Sequence, residues 1–178
     1  KRMLRHTMPL FYSPVFQQFS RLYQNPPRIG SVFSVTFRSR RAILRKETDS
    51  EDIEMMETDN RINEVLELIE KAEREAAALI LQAHGILAET KTGRRDVVTE
   101  YDRRVQKLLE ARFREAIPGA HFFCEELNDQ DRLDADQLFI IDPIDGTMNF
   151  VRGFHHSCIS VAYAERGTVL TGAVYNPY

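Results

Sequence analysis

The 178-residue chain has no tryptophan, only two cysteines and no long apolar run. A transmembrane helix needs roughly 20 consecutive apolar residues, and the apolar stretches here are short and interrupted, so the sequence predicts no contact with a membrane. Cys124 and Cys158 lack both CxxC spacing and the dense framework of small secreted domains. This favours reduced thiols and a cytoplasmic location over a structural disulfide. The composition, 43% hydrophobic and 29% charged, is ordinary for one globular domain.

Acidic residues are absent from the first 46 positions, which contain ten Lys or Arg residues. Three interpretations compete: an organellar transit peptide, a basic tail that contacts nucleic acid or anionic lipid, or an extension that is not part of the natural protein. The third is favoured because the chain begins with Lys1 rather than Met, while Met55 or Met56 precedes the first clear helix signal. We therefore expect residues 1–54 to be a basic, disordered leader or non-native extension and residues 55–178 to form the domain. We do not expect a nucleic-acid partner.

Apolar residues recur at helical spacing over residues 62–83, which predicts a long amphipathic helix. Thr58 or Asp59 is a candidate N-terminal cap, and Gly85 follows the last turn. We assign this helix to packing and give it no chemistry. A polar connection comes next, and a solvated loop explains its basic cluster around Lys91.

A second amphipathic helix is predicted from Thr99, a residue type that caps helices well. Asp102 occupies the capping-box position three residues on, and Pro118 with Gly119 ends the helix. The inward-facing residues are Tyr101, Val105, Leu108, Leu109 and Phe113. On these grounds alone, Asp102 is explained by helix capping and the helix dipole.

Carboxylates follow two predicted strands. His121–Cys124 is a short strand that delivers Glu125, and residues 138–141 run directly into Asp142, with Asp145 three positions on. Acids after a strand lie more often on the surface than in a site. Two such strands lying side by side would, however, gather Glu125, Asp142 and Asp145 at one edge of a sheet. Three carboxylates in one place favour a metal ion.

The acidic stretch after the second strand needs a positive charge. Asp142 and Asp145 repel each other within four residues, and a buried carboxylate is costly without a partner. Mg²⁺ suits such oxygen ligands, and the Ile144 carbonyl offers a further one. Pro143 would stiffen the turn so that the two carboxylates converge.

Gly146 and Thr147 follow at a predicted strand-to-helix turn. A glycine there lets the backbone approach a ligand closely, and the N–H groups that follow can bind an anion such as phosphate. A carboxylate-held cation beside an anion site suggests hydrolysis of a phosphate ester. In that chemistry the metal is held by Asp142, Asp145 and Glu125, the phosphate by the Gly146 and Thr147 amides, and the water by the Thr147 hydroxyl.

Two β-rich runs, residues 158–164 and 169–175, have the spacing of a hairpin. His155 and His156 precede them. Adjacent side chains on an extended segment point to opposite faces, so at most one of these histidines could be a ligand. Both are left out of the predicted site.

Residues 142–150, DPIDGTMNF, resemble the signature of the inositol monophosphatase family of Mg²⁺-dependent, lithium-sensitive phosphatases. Three further landmarks agree in order and spacing: Lys91 five residues before Asp96, the run DVVTEYD that ends at Asp102, and Glu125 with Glu126 after a strand. The resemblance covers residues 58–178. It implies an α+β fold, the N-terminal half of the family's layered architecture, with long helices packed on an antiparallel sheet and the site at the sheet edge.

The resemblance also implies roles for the site residues. The metal ligands would be Glu125, Asp142, the Ile144 carbonyl and Asp145, and phosphate would meet Asp145, Gly146 and Thr147. The catalytic group would be Glu125, which helps to activate the water, and Thr147 paired with Asp102, with a loop contribution from Lys91. The complete enzyme would use two or three Mg²⁺ ions and a small-molecule phosphate ester. Members of the family often form homodimers.

Two features depart from the family pattern. Cys124 stands where the family usually has glycine before the two glutamates. The family's later Trp-Asp motif, whose aspartate completes the second metal site, is missing, since the chain has no Trp and stops at Tyr178. We therefore expect a fragment or a truncated relative, and the chain alone is expected to have lost most activity.

The expected reaction is hydrolysis of a phosphomonoester, foremost myo-inositol monophosphate, by a metal-activated water without a covalent phosphoenzyme. Fructose 1,6-bisphosphate, a phosphoadenosine phosphate or NADP are alternative substrates, because the signature is shared among such phosphatases. A different class also stays open: a truncated metal-binding or regulatory protein without catalysis.

Overall fold

The computed structural model describes residues 32–36, 49–90, 97–124 and 134–178. The elements, in chain order, are β1 (Val32–Thr36), α1 (Asp49–Leu81), β2 (Ala88–Thr90), β3 (Val97–Thr99), α2 (Glu100–Ala116), β4 (His121–Cys124), β5 (Leu138–Asp145), α3 (Thr147–Val151), β6 (Cys158–Glu165) and β7 (Thr168–Tyr175). Of the helices in these ranges, none combines the length and the apolar character that crossing a bilayer requires.

Five strands form one sheet in the order β1-β7-β6-β5-β4, and β2 pairs with β3 in a separate two-stranded ribbon. Neighbours in the large sheet are antiparallel except β4 and β5, which run parallel with Cys124 opposite Ile141. A parallel pair needs a long connection, whereas an antiparallel pair can be joined by a tight turn. The sheet is thus mixed, and the expected antiparallel pairing fails only between β4 and β5. These two strands do lie side by side, as the sequence argument required.

A tight turn joins β6 and β7, as predicted. Arg166 and Gly167 both have positive φ, 47° and 77°. This is the backbone of a two-residue type I′ hairpin turn, whose twist matches that of the flanking strands. The hairpin places β6 between β7 and β5, and β5 is the strand that carries the acids.

The core lies between the sheet and the two long helices. The ring of Phe113 in α2 stacks on Phe139 in β5 with centroids 4.2 Å apart, and Tyr163 of β6 lies 5.1 Å from Phe139. Val105, Leu109 and Phe113, three of the residues predicted to face inward, have no exposed surface. Burying each such side chain contributes roughly 1.5–3 kcal/mol, so this contact fixes α2 over β5. The predicted α+β class is confirmed.

The segment expected to be a leader contains the strand β1 and the start of α1. β1 pairs antiparallel with β7 at the edge of the sheet, and α1 begins at Asp49. The strand was not predicted, because a five-residue strand has no long periodic pattern and depends on its partner strand. The long helix was predicted, but it begins about ten residues earlier than expected. The candidate caps Thr58 and Asp59 were wrong, since both lie inside α1.

One acidic side chain of α1 is enclosed by the core. Glu73 has no exposed surface, and neither of its carboxylate oxygens has a hydrogen-bond partner among the described residues. Burial raises the pKa of Glu73 well above its usual range; Glu70 acts in the same direction, and Arg74 opposes it. An amphipathic helix assigned to packing is expected to bury apolar side chains, so the enclosed carboxyl group of Glu73 departs from that expectation.

Candidate metal and phosphate site

β5 continues through the acidic residues instead of ending before them. It pairs with β6 at both Asp142 and Asp145, with a shift of register between the two pairs. Two residues of β5 therefore oppose one residue of β6, which makes a β-bulge. Pro143 lies inside the bulge, where its missing N–H breaks no regular ladder bond. The turn predicted between the two aspartates was wrong: the chain turns at Gly146.

Gly146 makes the turn from β5 into α3. Its φ of 80° and ψ of 36° lie in the left-handed region, which costs a residue with a Cβ about 1–2 kcal/mol. A Cβ placed on Gly146 would lie 3.0 Å from the carbonyl oxygen of His156. The absence of a side chain therefore permits both the turn and the close packing of the segment that follows α3.

Replacing Gly146 by alanine is expected to lower the free energy of unfolding by about 2–3 kcal/mol, because the left-handed backbone and the His156 contact both oppose a side chain. Gly153→Ala is the matched control: Gly153 also has a positive φ, 70°, but a Cβ there meets nothing within 4 Å. Urea unfolding of the two variants separates the two costs. Equal losses would show that the His156 contact imposes no constraint.

The first turn of α2 carries a fully buried carboxylate. The backbone N–H and the Oγ1 of Thr99 donate to Oδ2 of Asp102 at 2.7 and 2.5 Å. The Asp102 amide donates back to Thr99 Oγ1, which completes the capping box predicted from the sequence. Burial raises the pKa of Asp102, and the hydrogen bonds from Thr99 and Thr147 oppose that shift.

Thr147, the first residue of α3, reaches the same carboxylate. Its Oγ1 lies 3.2 Å from Asp102 Oδ1 and 2.9 Å from the Ile144 carbonyl oxygen. The hydroxyl has one proton, so it donates to one acceptor at a time and keeps lone pairs for a further donor. The rings of Tyr101 and Phe150 pack edge to face 5.7 Å apart and hold α2 against α3. The structure therefore brings Thr147, Asp102 and Ile144 together from three elements.

Asp145 lies at the end of β5 beside a thiol. Its Oδ2 is 3.6 Å from Cys158 Sγ, the length of a weak S–H···O bond. In the part of the chain that the structure describes, Asp145 takes part in no salt bridge. Burial, and then the charges of Asp145 and Asp142, raise the pKa of the Cys158 thiol, which therefore stays protonated. Neither Cys158 nor Cys124 takes part in a disulfide among the described residues.

The ligands that this stretch offers are all oxygens. They are the carboxylates of Asp142 and Asp145 and the main-chain carbonyl of Ile144 between them. Such donors fit Mg²⁺ or another hard divalent cation in their chemistry. Within the described ranges, no group of three or more His, Cys, Asp or Glu side chains could hold a metal. The predicted ligand Glu125 and the loop residue Lys91 lie outside the described residues.

Two side-chain contacts fix the segment that follows α3. Asn149 Nδ2 donates to the carbonyl oxygen of His156 at 2.9 Å, and the ring of His155 stacks on Tyr178 with centroids 4.6 Å apart. Asn149 and Thr99 are supporting residues that sequence reasoning did not assign to the site. The capping pattern was a signal for Thr99, whereas no local pattern pairs Asn149 with a carbonyl seven residues away.

The elements described above define a layered α+β domain with an acidic bulge, a glycine turn and a buried Thr-Asp pair on neighbouring elements. A model of the inositol monophosphatase family matches residues 61–178, and the chain belongs to this family. The fructose-1,6-bisphosphatase/inositol-1-monophosphatase of Thermotoga maritima is 44% identical over 89 residues, which are 50% of this chain and 34% of that protein.

Solved structures share the fold. The Thermotoga maritima IMPase has a TM-score of 0.55 and 35% identity, covering 66% of this chain and 44% of its own. An IMPase/NADP phosphatase complexed with Mg²⁺ and phosphate has a TM-score of 0.53 and 27% identity, covering 68% and 44%. The chain thus spans less than half the length of these relatives, which their names describe as phosphatases.

Proposed function

We propose that the chain carries the ion-binding and phosphate-binding edge of a Mg²⁺-dependent phosphomonoesterase. The observation that carries this proposal is the contact between Thr147 and the buried Asp102, immediately after the acid-bearing strand β5. A hydroxyl held by a carboxylate is suited to orienting a water nucleophile. Membership of the inositol monophosphatase family supports the same class of reaction.

The residues proposed to hold Mg²⁺ are Asp142, Asp145, Glu125 and the Ile144 carbonyl. When bound, the ion supplies charge stabilisation at the phosphoryl oxygens and a more acidic water. The contribution of the chain is to place hard oxygen ligands, and the bulge in β5 sets Ile144 between the two aspartates. We take the number of ions, two or three in a complete enzyme, from the family pattern.

Thr147 and Asp102 are proposed to orient the attacking water. An ionised Asp102 only accepts hydrogen bonds, so it can take the Thr147 proton and leave the Thr147 lone pairs for the water. The water then donates to Thr147 and keeps its own lone pair for the phosphorus. Glu125 is proposed to accept the second proton of the water as the bond to phosphorus forms and the ester P–O bond breaks, and solvent would protonate the departing alcohol.

The turn at Gly146 is proposed to bind the phosphate. Because Gly146 has no side chain, an anion can approach the N–H groups of Gly146 and Thr147 closely. Asp145, which directly precedes Gly146, would contact the phosphate through the bound Mg²⁺. Lys91 would add positive charge from its loop. Negative charge that develops in the transition state would then face donors already in place.

Myo-inositol monophosphate is the substrate we propose first. The names of two relatives support a small-molecule phosphate ester: one includes fructose-1,6-bisphosphatase and inositol-1-monophosphatase, and the other NADP phosphatase. A sugar bisphosphate, a phosphoadenosine phosphate and NADP therefore remain the proposed alternatives. The two cysteines, which form no disulfide among the described residues, favour a cytoplasmic location, and a homodimer is proposed only from the family pattern.

A Mg²⁺ titration of phosphate release tests this proposal. The assay would use myo-inositol monophosphate, fructose 1,6-bisphosphate, a phosphoadenosine phosphate and NADP at equal concentration. Release that depends on Mg²⁺ is the expected result, slow because the chain alone is expected to have lost most activity, with the inositol ester turned over fastest. Ion binding without release for any ester would favour the alternative of a non-catalytic metal-binding or regulatory protein. Release that is independent of Mg²⁺ would contradict the proposed chemistry.

A further inference from the structure

We propose that Thr99 is a positioning residue for the reaction: it occupies one oxygen of Asp102 and thereby reserves the other for Thr147. This rests on the proposed function, because it concerns the hydroxyl assigned to the attacking water. Thr99 lies where β3 meets α2 and has no exposed surface. It therefore acts through Asp102 and does not contact a substrate.

Neighbouring amides fix the direction of the hydrogen bonds at Thr99. The backbone N–H groups of Tyr101 and Asp102 donate to Thr99 Oγ1 at 3.1 and 3.4 Å. These bonds use the lone pairs of the hydroxyl oxygen. Its own proton is left for Asp102 Oδ2 at 2.5 Å, and the Thr99 N–H donates to the same oxygen at 2.7 Å.

The two oxygens of Asp102 are thus divided between two partners. Oδ2 receives both bonds from Thr99, and Oδ1 receives the bond from Thr147 at 3.2 Å. The side-chain torsion of a carboxylate is otherwise soft, and two charge-assisted bonds to one oxygen resist its rotation. Thr147 has a competing acceptor, the Ile144 carbonyl at 2.9 Å. Holding Oδ1 in place therefore favours donation of the Thr147 proton to Asp102 over donation to the Ile144 carbonyl.

Among the described residues, few other charges act on Asp102. Burial is the first cause of its raised pKa, and the bonds from Thr99 and then Thr147 oppose it. β3 and α3 contain no ionisable side chain, and the last turn of α1 contains no basic residue. Charged groups on the other packed elements include the buried Glu73 of α1 and Asp142 and Asp145 of β5. Arg103 and Arg104 of α2 are engaged by Glu89 and Glu100. Thr99 is therefore the main group that favours the ionised form.

Three variants separate positioning from simple helix capping. Thr99→Val removes the hydroxyl but keeps the branched shape and the backbone N–H, and Thr99→Ser restores the hydroxyl. Val105→Ala is the control for lost stability, because Val105 is fully buried in the same helix and lies outside the hydrogen bonds of Asp102. A capping role alone would make Thr99→Val behave like Val105→Ala.

The first measurement is a carbon-13 NMR titration of Asp102 in the ion-free chain. In Thr99→Val we expect the pKa of Asp102 to rise by about one unit relative to wild type. The Thr147 amide signal, which should follow the Asp102 titration in wild type, should follow it less. Thr99→Ser and Val105→Ala should both titrate like wild type. A Thr99→Val titration equal to that of Val105→Ala would overturn the proposal.

The second measurement is Mg²⁺-dependent phosphate release. Since Asp102 must be ionised to accept the Thr147 proton, activity should fall as pH drops through its pKa, and this limb should move to higher pH in Thr99→Val. We expect kcat to fall about tenfold with KM unchanged, and Thr99→Ser to recover it. An inactive wild type would overturn the proposed function and the role built on it. An active wild type with unchanged kcat in Thr99→Val would overturn the role alone.

Discussion

Replacing Asp142 and Asp145 together by asparagine is expected to abolish Mg²⁺ binding by the chain. Asparagine keeps the size of the side chain and one oxygen but removes both negative charges, and Mg²⁺ gives up its water only to strong oxygen ligands. Phosphate release would fall by about 10³-fold or more, since several kcal/mol of transition-state stabilisation depends on the ion. In ion-free buffer the variant should be at least as stable as wild type, because the repulsion between the two carboxylates is gone.

This effect can be measured without any turnover. A ligand that binds only the folded state adds RT ln(1 + [L]/Kd) to stability, about 2.7 kcal/mol at a hundredfold excess over Kd. Mg²⁺ should therefore raise the Tm of the wild type and leave that of the double variant unchanged. The control is Glu64→Gln with Glu67→Gln, which makes the same change of charge at exposed positions of α1. An equal Mg²⁺ response in the aspartate variant and the control would contradict the assignment of the ligands.

Local signals explain which parts of the fold were predictable. The capping pair Thr99 and Asp102, the strand His121–Cys124 and the hairpin turn at Arg166 and Gly167 are each specified by a few neighbouring residues, and the structure contains all of them. The contact between Thr147 and Asp102 spans 45 residues. No periodicity predicts such a contact, and it was expected only from the resemblance to a family.

The features of the fold that the sequence did not predict depend on partners distant in the chain. β1 exists as a strand because β7 offers it an edge, and its own sequence has no pattern long enough to predict this. Pro143 was interpreted as stiffening a turn. It lies in a bulged strand because β6 continues to pair with β5 beyond it. Glu73 was not singled out, although it lies four residues after Ile69 and three before Ala76 and therefore on the inward face of the helix.

Replacing Glu73 by leucine is expected to stabilise the fold by about 2–4 kcal/mol near neutral pH. The glutamate is fully buried, and among the described residues its oxygens have no hydrogen-bond partner. Leucine has a similar volume and suits a helix, so it can keep the packing against neighbours such as Ile69 and Ala76 while removing the cost of enclosing a carboxyl group.

The pH dependence of this gain follows from the raised pKa. In the unfolded chain Glu73 titrates near its ordinary 4.5, whereas in the folded chain it stays protonated to higher pH. Between the pKa of Glu73 in the unfolded chain and its pKa in the folded chain, the folded state binds more protons. The stability of the wild type therefore falls as pH rises, by up to about 1.4 kcal/mol per pH unit. Below the pKa of the unfolded chain, Glu73 is protonated in both states and contributes no pH dependence to the stability. The advantage of Glu73→Leu should therefore grow as pH rises from 4.5 to the folded pKa.

Urea unfolding at pH 5 and pH 8 measures both effects. Glu73→Gln removes the titration but still buries an amide, so it should lose the part of the pH dependence that is due to Glu73 while gaining less stability than Glu73→Leu. Glu67→Gln, exposed on the same helix, should stay within about 0.5 kcal/mol of wild type at both values. A Glu73→Leu variant that is less stable than wild type at pH 5 and at pH 8 would mean that the fold depends on a polar contact of this carboxyl group.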